Sequence, residues 1–100
     1  MDFSLPPEFD AVRRRVRDFV DQRLIPLEAD RASYDAHENI APALLRTLRA
    51  EAKAAGLWAL QMPKARGGGG LPVVGMAAAY EEMNRSIFGP VVFNSAAPDD

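Results

Sequence analysis

The sequence has no cysteine, which excludes disulfides, thiolate metal ligands and a cysteine nucleophile. It has one histidine, His37, without carboxylate or cysteine partners at metal-ligand spacing, so we expect a surface residue and no metal site. No apolar run approaches the roughly 20 residues that cross a bilayer, and the first residues lack the features of a secretory signal. We therefore expect a cytoplasmic or organelle-matrix protein without a membrane span.

The sequence also has no excess of positive charge, because its 12 Lys and Arg residues are outnumbered by 14 Asp and Glu residues, which gives a net charge of −2. Nucleic-acid-binding domains are usually strongly basic, so nucleic acid is not an expected partner. The arginines between positions 13 and 17 form i,i+4 pairs with acidic residues: Asp10–Arg14, Arg14–Asp18 and Arg17–Asp21. This pattern is typical of a solvated helix face.

What the chain does have is helical periodicity within a length of about one domain, 100 residues. Apolar residues at spacings of three, four and one predict an amphipathic helix from Pro7 to about Leu24: Phe9, Val12, Val16, Phe19, Val20 and Leu24. Pro26 is expected to stop this helix. The fold class that follows is all-α, an up-down domain of three to four helices.

A second helix is predicted after a polar connection over residues 28–40. Asn39 or its neighbour is expected to cap the helix, which runs to Ala55. Its buried stripe is predicted to be Leu44, Leu45, Leu48 and Ala52. Gly56 is expected to end it in a Schellman motif, with Leu57 folding back on the last turn.

A third helix is predicted from about Val73 to Ile87, with Met76, Tyr80, Met83 and Ile87 on one face. Gly89 and Pro90 interrupt the pattern, and the chain from Val91 onward predicts the start of a fourth helix. The glycines of residues 67–70 lack the spacing and the Lys-Ser/Thr pair of a phosphate-binding loop, which favours a permissive turn.

The apolar cluster of Val91, Val92 and Phe93 lies close to the last residue. We expect something downstream to cover this cluster, which makes the chain the amino-terminal piece of a larger protein.

No catalytic centre is predicted in these residues. Glu81 and Glu82 are adjacent and project about 100° apart on a helix, so they do not form a facing carboxylate pair, although one is placed to bind Arg85. No serine has a nucleophile-elbow context. The predicted sets of catalytic, cofactor-binding and metal-binding residues are therefore empty.

The order of several short motifs resembles the N-terminal helical domain of the acyl-CoA dehydrogenases, in the branch where Ala-Pro-Asp precedes a Gly-Asn pair. The motifs are Val16-Arg17-Asp18-Phe19-Val20, Leu24-Ile25-Pro26-Leu27-Glu28, Ala55-Gly56-Leu57-Trp58, Pro63 with the glycine run through Leu71, Glu81-Glu82 with Arg85, Phe88-Gly89-Pro90 with Asn94, and Ala97-Pro98-Asp99.

The resemblance implies that residues 1–100 are an incomplete N-terminal domain, with the middle β domain and the C-terminal α domain absent. The parent would be a homo-oligomeric flavoenzyme that uses FAD to introduce an α,β double bond into an acyl-CoA and passes electrons to an acceptor. Because the family holds the flavin mainly in later domains, this piece is not expected to retain FAD and is expected to be inactive alone.

The resemblance also implies that the segment after the Glu-Glu helix forms one wall of the acyl-chain cavity. The candidate lining residues are Val91 and Ser95, one helical turn apart, with Asp99 following if the turn continues past Pro98. Alternatively, Val91 and Ser95 pack on the absent domains. A different function is also open, that of a non-catalytic helical interaction module that self-associates through its apolar C-terminal segment.

Overall fold

The computed structural model describes residues 6–60 and 70–94, and gives Val73 and Val74 as backbone only. In chain order, the elements are α1 (Pro7–Phe19), a π turn (Val20–Leu24), α2 (Ile25–Glu28), a 3₁₀ turn (Arg31–Ser33), α3 (Pro42–Ala54), α4 (Val73–Met83) and α5 (Gly89–Val92). The described residues contain an isolated bridge between Tyr34 and Ile40 and no strand. The predicted all-α fold is confirmed.

The first helix begins where the sequence predicts, at Pro7, whose missing N–H lies among the free donors of the first turn. It does not stop before Pro26, because the helical backbone continues through the π turn and α2 to Glu28. The Ile25 N–H donates to the Val20 carbonyl, five residues back. This wider turn shifts the hydrogen-bond ladder by one residue just before the proline, which relieves the clash that Pro26 causes in a regular helix.

The core forms where the apolar stripes of the helices meet. α1 packs mainly against α4, and α3 packs against α5. The fully buried side chains of the core include residues from every long helix: Val16, Val20, Leu24, Leu48, Ala52, Ala79, Met83, Val92 and Phe93. The predicted buried stripes are therefore confirmed at Val16, Val20 and Leu24 of the first helical stretch and at Leu48 and Ala52 of α3.

The two ends of α3 differ in how well the sequence predicts them. The helix begins at Pro42 after Ala41, which provides no side-chain cap, so the predicted cap at Asn39 is wrong. At the other end the Schellman motif is confirmed, because Gly56 has φ +74° and its N–H donates to the Lys53 carbonyl at 3.0 Å. The Leu57 N–H donates to the Ala52 carbonyl at 2.9 Å.

The predicted third helix is too long by one turn. α4 ends at Met83, and Ile87 lies in the following turn with 67% of its surface exposed, outside the predicted buried face. The Ser86 hydroxyl accepts a hydrogen bond from the Phe88 N–H at 3.1 Å, a local bond that competes with the helical ladder. Gly89 and Pro90 do not break a helix but form the first turn of α5.

The prediction that Val91, Val92 and Phe93 form an uncovered apolar cluster is wrong for Val92 and Phe93. Both side chains are fully buried inside this chain, so they are not an uncovered cluster. The Phe93 ring meets the Phe19 ring edge-on, with centroids 5.3 Å apart. Only Val91 of the predicted cluster reaches the surface, where it is 39% exposed.

Within residues 6–60 and 70–94, no helix is both long enough and apolar enough to cross a membrane. Most of the glycine run of residues 67–70 lies outside the described residues, so its predicted role as a permissive turn stays a prediction. Its last residue, Gly70, has φ +65°.

Candidate functional site

An open groove lies between the turn of residues 34–40 and the segment of residues 87–91. We refer to it as the Tyr34–Val91 groove. Its volume is about 350 Å³, and it is lined by Tyr34, Glu38, Asn39, Ile40, Ile87, Phe88 and Val91. The groove therefore contains Val91, one of the residues that the sequence predicts in a substrate cavity.

The first wall of the groove is a turn that its own hydrogen bonds hold in shape. The Asp35 carboxylate accepts from the His37 N–H at 2.8 Å and from the Asn39 N–H at 3.0 Å. The Asp35 N–H donates to the Asn39 carbonyl at 2.7 Å, and Glu38 has φ +63°. His37 is exposed, as predicted. A turn with this many internal bonds is a rigid wall, not a mobile flap.

Tyr34 and Glu28 join the two walls. The Tyr34 hydroxyl donates to the Glu28 carbonyl at 2.6 Å, and the Glu28 carboxylate accepts from the Ile87 N–H at 3.3 Å. The Tyr34 ring also packs against the Phe88 ring, with centroids 5.4 Å apart. These contacts set the width of the groove.

The exposed surface of the second wall is mainly apolar. Ile87 and Val91 are 67% and 39% exposed, whereas Phe88 between them is 3% exposed and forms part of the core. The Val91 carbonyl accepts from the Arg49 guanidinium at 2.9 Å, which ties the start of α5 to α3. A rigid groove with exposed branched side chains is suited to binding an apolar group.

The described residues contain no group of three or more His, Cys, Asp and Glu that could hold a metal ion. Glu82 is engaged by arginines, with Arg13 at 3.5 Å and Arg85 at 3.1 Å, while Glu81 is exposed. The prediction that one of these two glutamates binds Arg85 is confirmed for Glu82.

The charged residues of α1 and of the π turn that follows it form ion pairs both within the helix and with other parts of the chain. The predicted pair Asp10–Arg14 is present at 3.0 Å. The other two predicted i,i+4 pairs are wrong, because the ion pairs of the described residues include neither of them and Asp21 instead binds Arg85 at 2.7 Å. The hydrogen bond from Arg13 lowers the pKa of Asp10 below its usual range, and burial, which raises it, offsets only part of this effect.

Glu51 and Arg23 form a two-bond ion pair, with distances of 2.6 and 2.8 Å, that lowers the pKa of the Glu51 carboxyl. A lowered carboxyl pKa stabilises the folded state above the unfolded pKa, about 4.3, and this contribution is lost as pH falls through the folded pKa. We expect Glu51→Gln to reduce the free energy of unfolding at pH 7 by up to about 1 kcal/mol, since both side chains are partly exposed.

Urea unfolding of the chain and of Glu51→Gln at pH 7 and pH 3 measures this effect. The difference between the two proteins should shrink as the pH falls through the lowered folded-state pKa of Glu51, so it should be smaller at pH 3 than at pH 7. Glu81→Gln, at an exposed glutamate of α4, is the control and should match the unmodified chain at both pH values. An equal difference at both pH values would show that the ion pair is not its source.

The other predicted site residues, Ser95 and Asp99, lie outside the described residues, and their role stays a prediction. The sequence pattern does not indicate Tyr34 and Glu28 as site residues, because residues 28–40 have no sustained period and predict only a connection. The available signal was Asp35 four residues before Asn39, a spacing that favours a side-chain-capped turn.

Comparison with known proteins identifies the family of the domain that contains this groove. The family profile "Acyl-CoA dehydrogenase, N-terminal domain" matches residues 6–98. Acyl-CoA dehydrogenase family member 11 of Rattus norvegicus is 33% identical over 96% of this chain, and that of Mus musculus is 36% identical over 96%. Acyl-CoA dehydrogenase family member 10 of Mus musculus is 31% identical over 96% of this chain.

A solved structure from Mycobacterium abscessus, described as an acyl-CoA dehydrogenase, superimposes with a TM-score of 0.79 at 36% identity and covers 97% of this chain. The chain spans only 14% of the two family member 11 relatives, 10% of the family member 10 relative and 26% of the solved structure. The relatives are thus similar to this chain over one domain of a much longer protein.

Proposed function

This chain belongs to the acyl-CoA dehydrogenase family as its N-terminal domain, and we propose that it supplies one wall of the acyl-chain cavity in a longer, FAD-dependent enzyme. That enzyme would remove one hydrogen each from the α and β carbons of an acyl-CoA thioester and form a double bond between them. The flavin would take up the two electrons, which an electron acceptor would then remove. We propose that the enzyme is a homo-oligomer.

The observation that supports the role of this domain is the exposed face of Val91. This side chain lies in the Tyr34–Val91 groove and is 39% exposed, although Gly89 and Val92 of the same helix are buried. Burying an apolar side chain of this size against an acyl chain contributes about 1 kcal/mol or more for the area removed from water. We propose Ser95 and Asp99 as further lining residues.

The described residues do not fit a flavin. In the groove, the Tyr34 hydroxyl and the Ile87 N–H are already bonded to Glu28. The carboxylate of Glu38, which lines the groove, repels a pyrophosphate. We therefore propose that FAD binds outside these residues, that the isolated chain does not retain it, and that the isolated chain is inactive.

Self-association of the chain as a helical interaction module is supported less well. That interpretation depends on an exposed cluster of Val91, Val92 and Phe93, and two of these side chains are fully buried. The remaining exposed surface, Ile87 with Val91, is better suited to a small apolar ligand than to a stable dimer, which needs about 800 Å² from each partner.

Enlarging Val91 in the full-length enzyme tests the proposed wall. We expect Val91→Phe to shorten the preferred acyl chain, because the added ring occupies space that the far end of a long chain needs. The kcat/KM for long acyl-CoA substrates should fall about tenfold or more, while that for short substrates changes little. The measurement is kcat/KM across acyl-CoA substrates of increasing length.

Ile25→Phe is the matched control, because Ile25 is 36% exposed and does not line the groove. It should leave the chain-length profile unchanged. If the Val91→Phe enzyme keeps the profile of the unmodified enzyme, Val91 does not line the cavity.

A further inference from the structure

The outer face of α3 carries a cluster of cations around a tryptophan. We refer to Arg46, Arg49, Lys53 and Trp58 as the α3 basic surface. The cations stand at helical spacings of three, four and seven, which places them on one side of the helix. The Lys53 ammonium lies 4.6 Å and the Arg49 guanidinium 5.2 Å from the centre of the Trp58 ring. Two like charges are thus held beside one aromatic ring.

In the part of the chain that the structure describes, this surface groups three cations that form no ion pair with a carboxylate. Among residues 6–60 and 70–94, the arginines that form ion pairs with Asp or Glu are Arg13, Arg14, Arg23 and Arg85, on other helices or loops. The three cations of the α3 basic surface form none. Arg49 instead donates to the Val91 carbonyl through Nε, which leaves the outer nitrogens of its guanidinium for another acceptor.

The tryptophan orders these cations. A cation over an indole ring is attracted to its π face, which reduces the freedom of a long side chain. Arg49 is fixed at two points, by the ring and by the Val91 carbonyl. Groups that are ordered before binding lose less entropy when a ligand arrives.

We propose that the α3 basic surface is a docking site for a carboxylate-rich segment of a partner protein. Arg49 offers a planar fork of donors that matches a carboxylate, and Lys53 offers a point charge four residues along the helix. A short acidic segment of the partner that lies along α3 would contact Arg46, Arg49 and Lys53 in turn. Its contacts would be salt-dependent, since this surface is open to solvent.

A protein partner is favoured over other polyanions by the rest of the chain. The net charge is −2, which opposes the long negative charge array of a nucleic acid. A membrane-binding surface inserts exposed apolar side chains among the lipids. Here Trp58 is only partly exposed, and two cations lie against its ring.

Binding of a fluorescein-labelled octaglutamate peptide to the 100-residue chain tests the proposal. We expect anisotropy to show binding at low ionic strength that weakens as salt is added, and no binding of labelled octaglutamine. Trp58 is the single tryptophan of the chain, so its emission should change with the same dissociation constant.

Matched double variants locate the binding site. Arg46→Gln with Lys53→Gln should raise the dissociation constant roughly threefold to tenfold, because each exposed charge contributes modestly. Arg17→Gln with Arg31→Gln is the control, since it removes the same charge from exposed residues outside this surface. It should change the dissociation constant less than twofold. Circular dichroism checks that both variants remain helical.

Three results would overturn the proposal. The first is no octaglutamate binding at low salt, and the second is an equal loss of affinity in both double variants, which would indicate a general effect of net charge. The third is binding to phosphatidylglycerol vesicles that is tighter than octaglutamate binding and depends on Arg46 and Lys53. That result would assign the surface to a membrane.

Discussion

Replacing Gly89 with alanine should destabilise this domain by about 3 kcal/mol, the upper end of the usual cost of overpacking. A Cβ atom on Gly89 would overlap the Met83 carbonyl oxygen and lie 2.8 Å from the carbonyl carbon. Both are backbone atoms at the end of α4, so a change of side-chain rotamer does not relieve the clash. The start of α5 would have to move away from α4.

Thermal unfolding followed by circular dichroism measures the effect of Gly89→Ala. For a domain of this size, a loss of this magnitude lowers the melting temperature by about 15 °C. The same displacement would widen the Tyr34–Val91 groove, because Phe88 and Val91 lie on either side of Gly89.

Gly56→Ala is the matched control for Gly89→Ala. Gly56 has φ +74°, and its added Cβ would meet the Arg15 guanidinium at an ordinary contact distance of 3.5 Å. The cost is then the left-handed backbone alone, roughly 1–2 kcal/mol. If Gly56→Ala is the more destabilising variant, the close approach of α5 to α4 is not a major constraint on the fold.

Replacing Phe93 with alanine should cost about 3–5 kcal/mol of unfolding free energy, because it deletes a fully buried ring and leaves a cavity. The edge-on contact with Phe19 is lost as well. The Phe93 carbonyl accepts from the Ala59 N–H at 2.8 Å, so the segment that follows α3 is held by the same residue. Urea unfolding measures the difference.

Ile87→Ala is the control for Phe93→Ala, because Ile87 is a large apolar residue of the same region but is 67% exposed. It should change the free energy of unfolding by about 0.5 kcal/mol or less. A Phe93→Ala protein as stable as the Ile87→Ala protein would contradict the placement of Phe93 in the core.

Local rules were reliable wherever one residue and its near neighbours decide the conformation. Pro7 at the start of α1 and Gly56 after α3 lie where the sequence predicts. The same rules were wrong at Pro26, because a π turn of the preceding residues accommodates a proline that would otherwise end the helix. They were wrong at Ile87, because the Ser86 hydroxyl and Gly89 favour a new turn there.

The candidate site was predictable only in part. Val91 follows from the resemblance to a known family, and the structure places it at a groove. The opposite wall comes from residues 34–40, more than 50 positions earlier, and no periodicity connects these two segments. They meet because the Glu28 carboxylate accepts from the Ile87 N–H and the Tyr34 ring packs against the Phe88 ring.

The sequence by itself determined the all-α class, the buried stripes of α1 and α3, the Schellman end of α3 and the family. Each of these depends on the spacing of residues within one segment. Only the tertiary structure decided that Val92 and Phe93 are buried while Val91 is exposed, that Asp21 binds Arg85, and that Trp58 lies against two cations. Those outcomes depend on which helix faces meet, and burial and pairing across helices are properties of the packed chain.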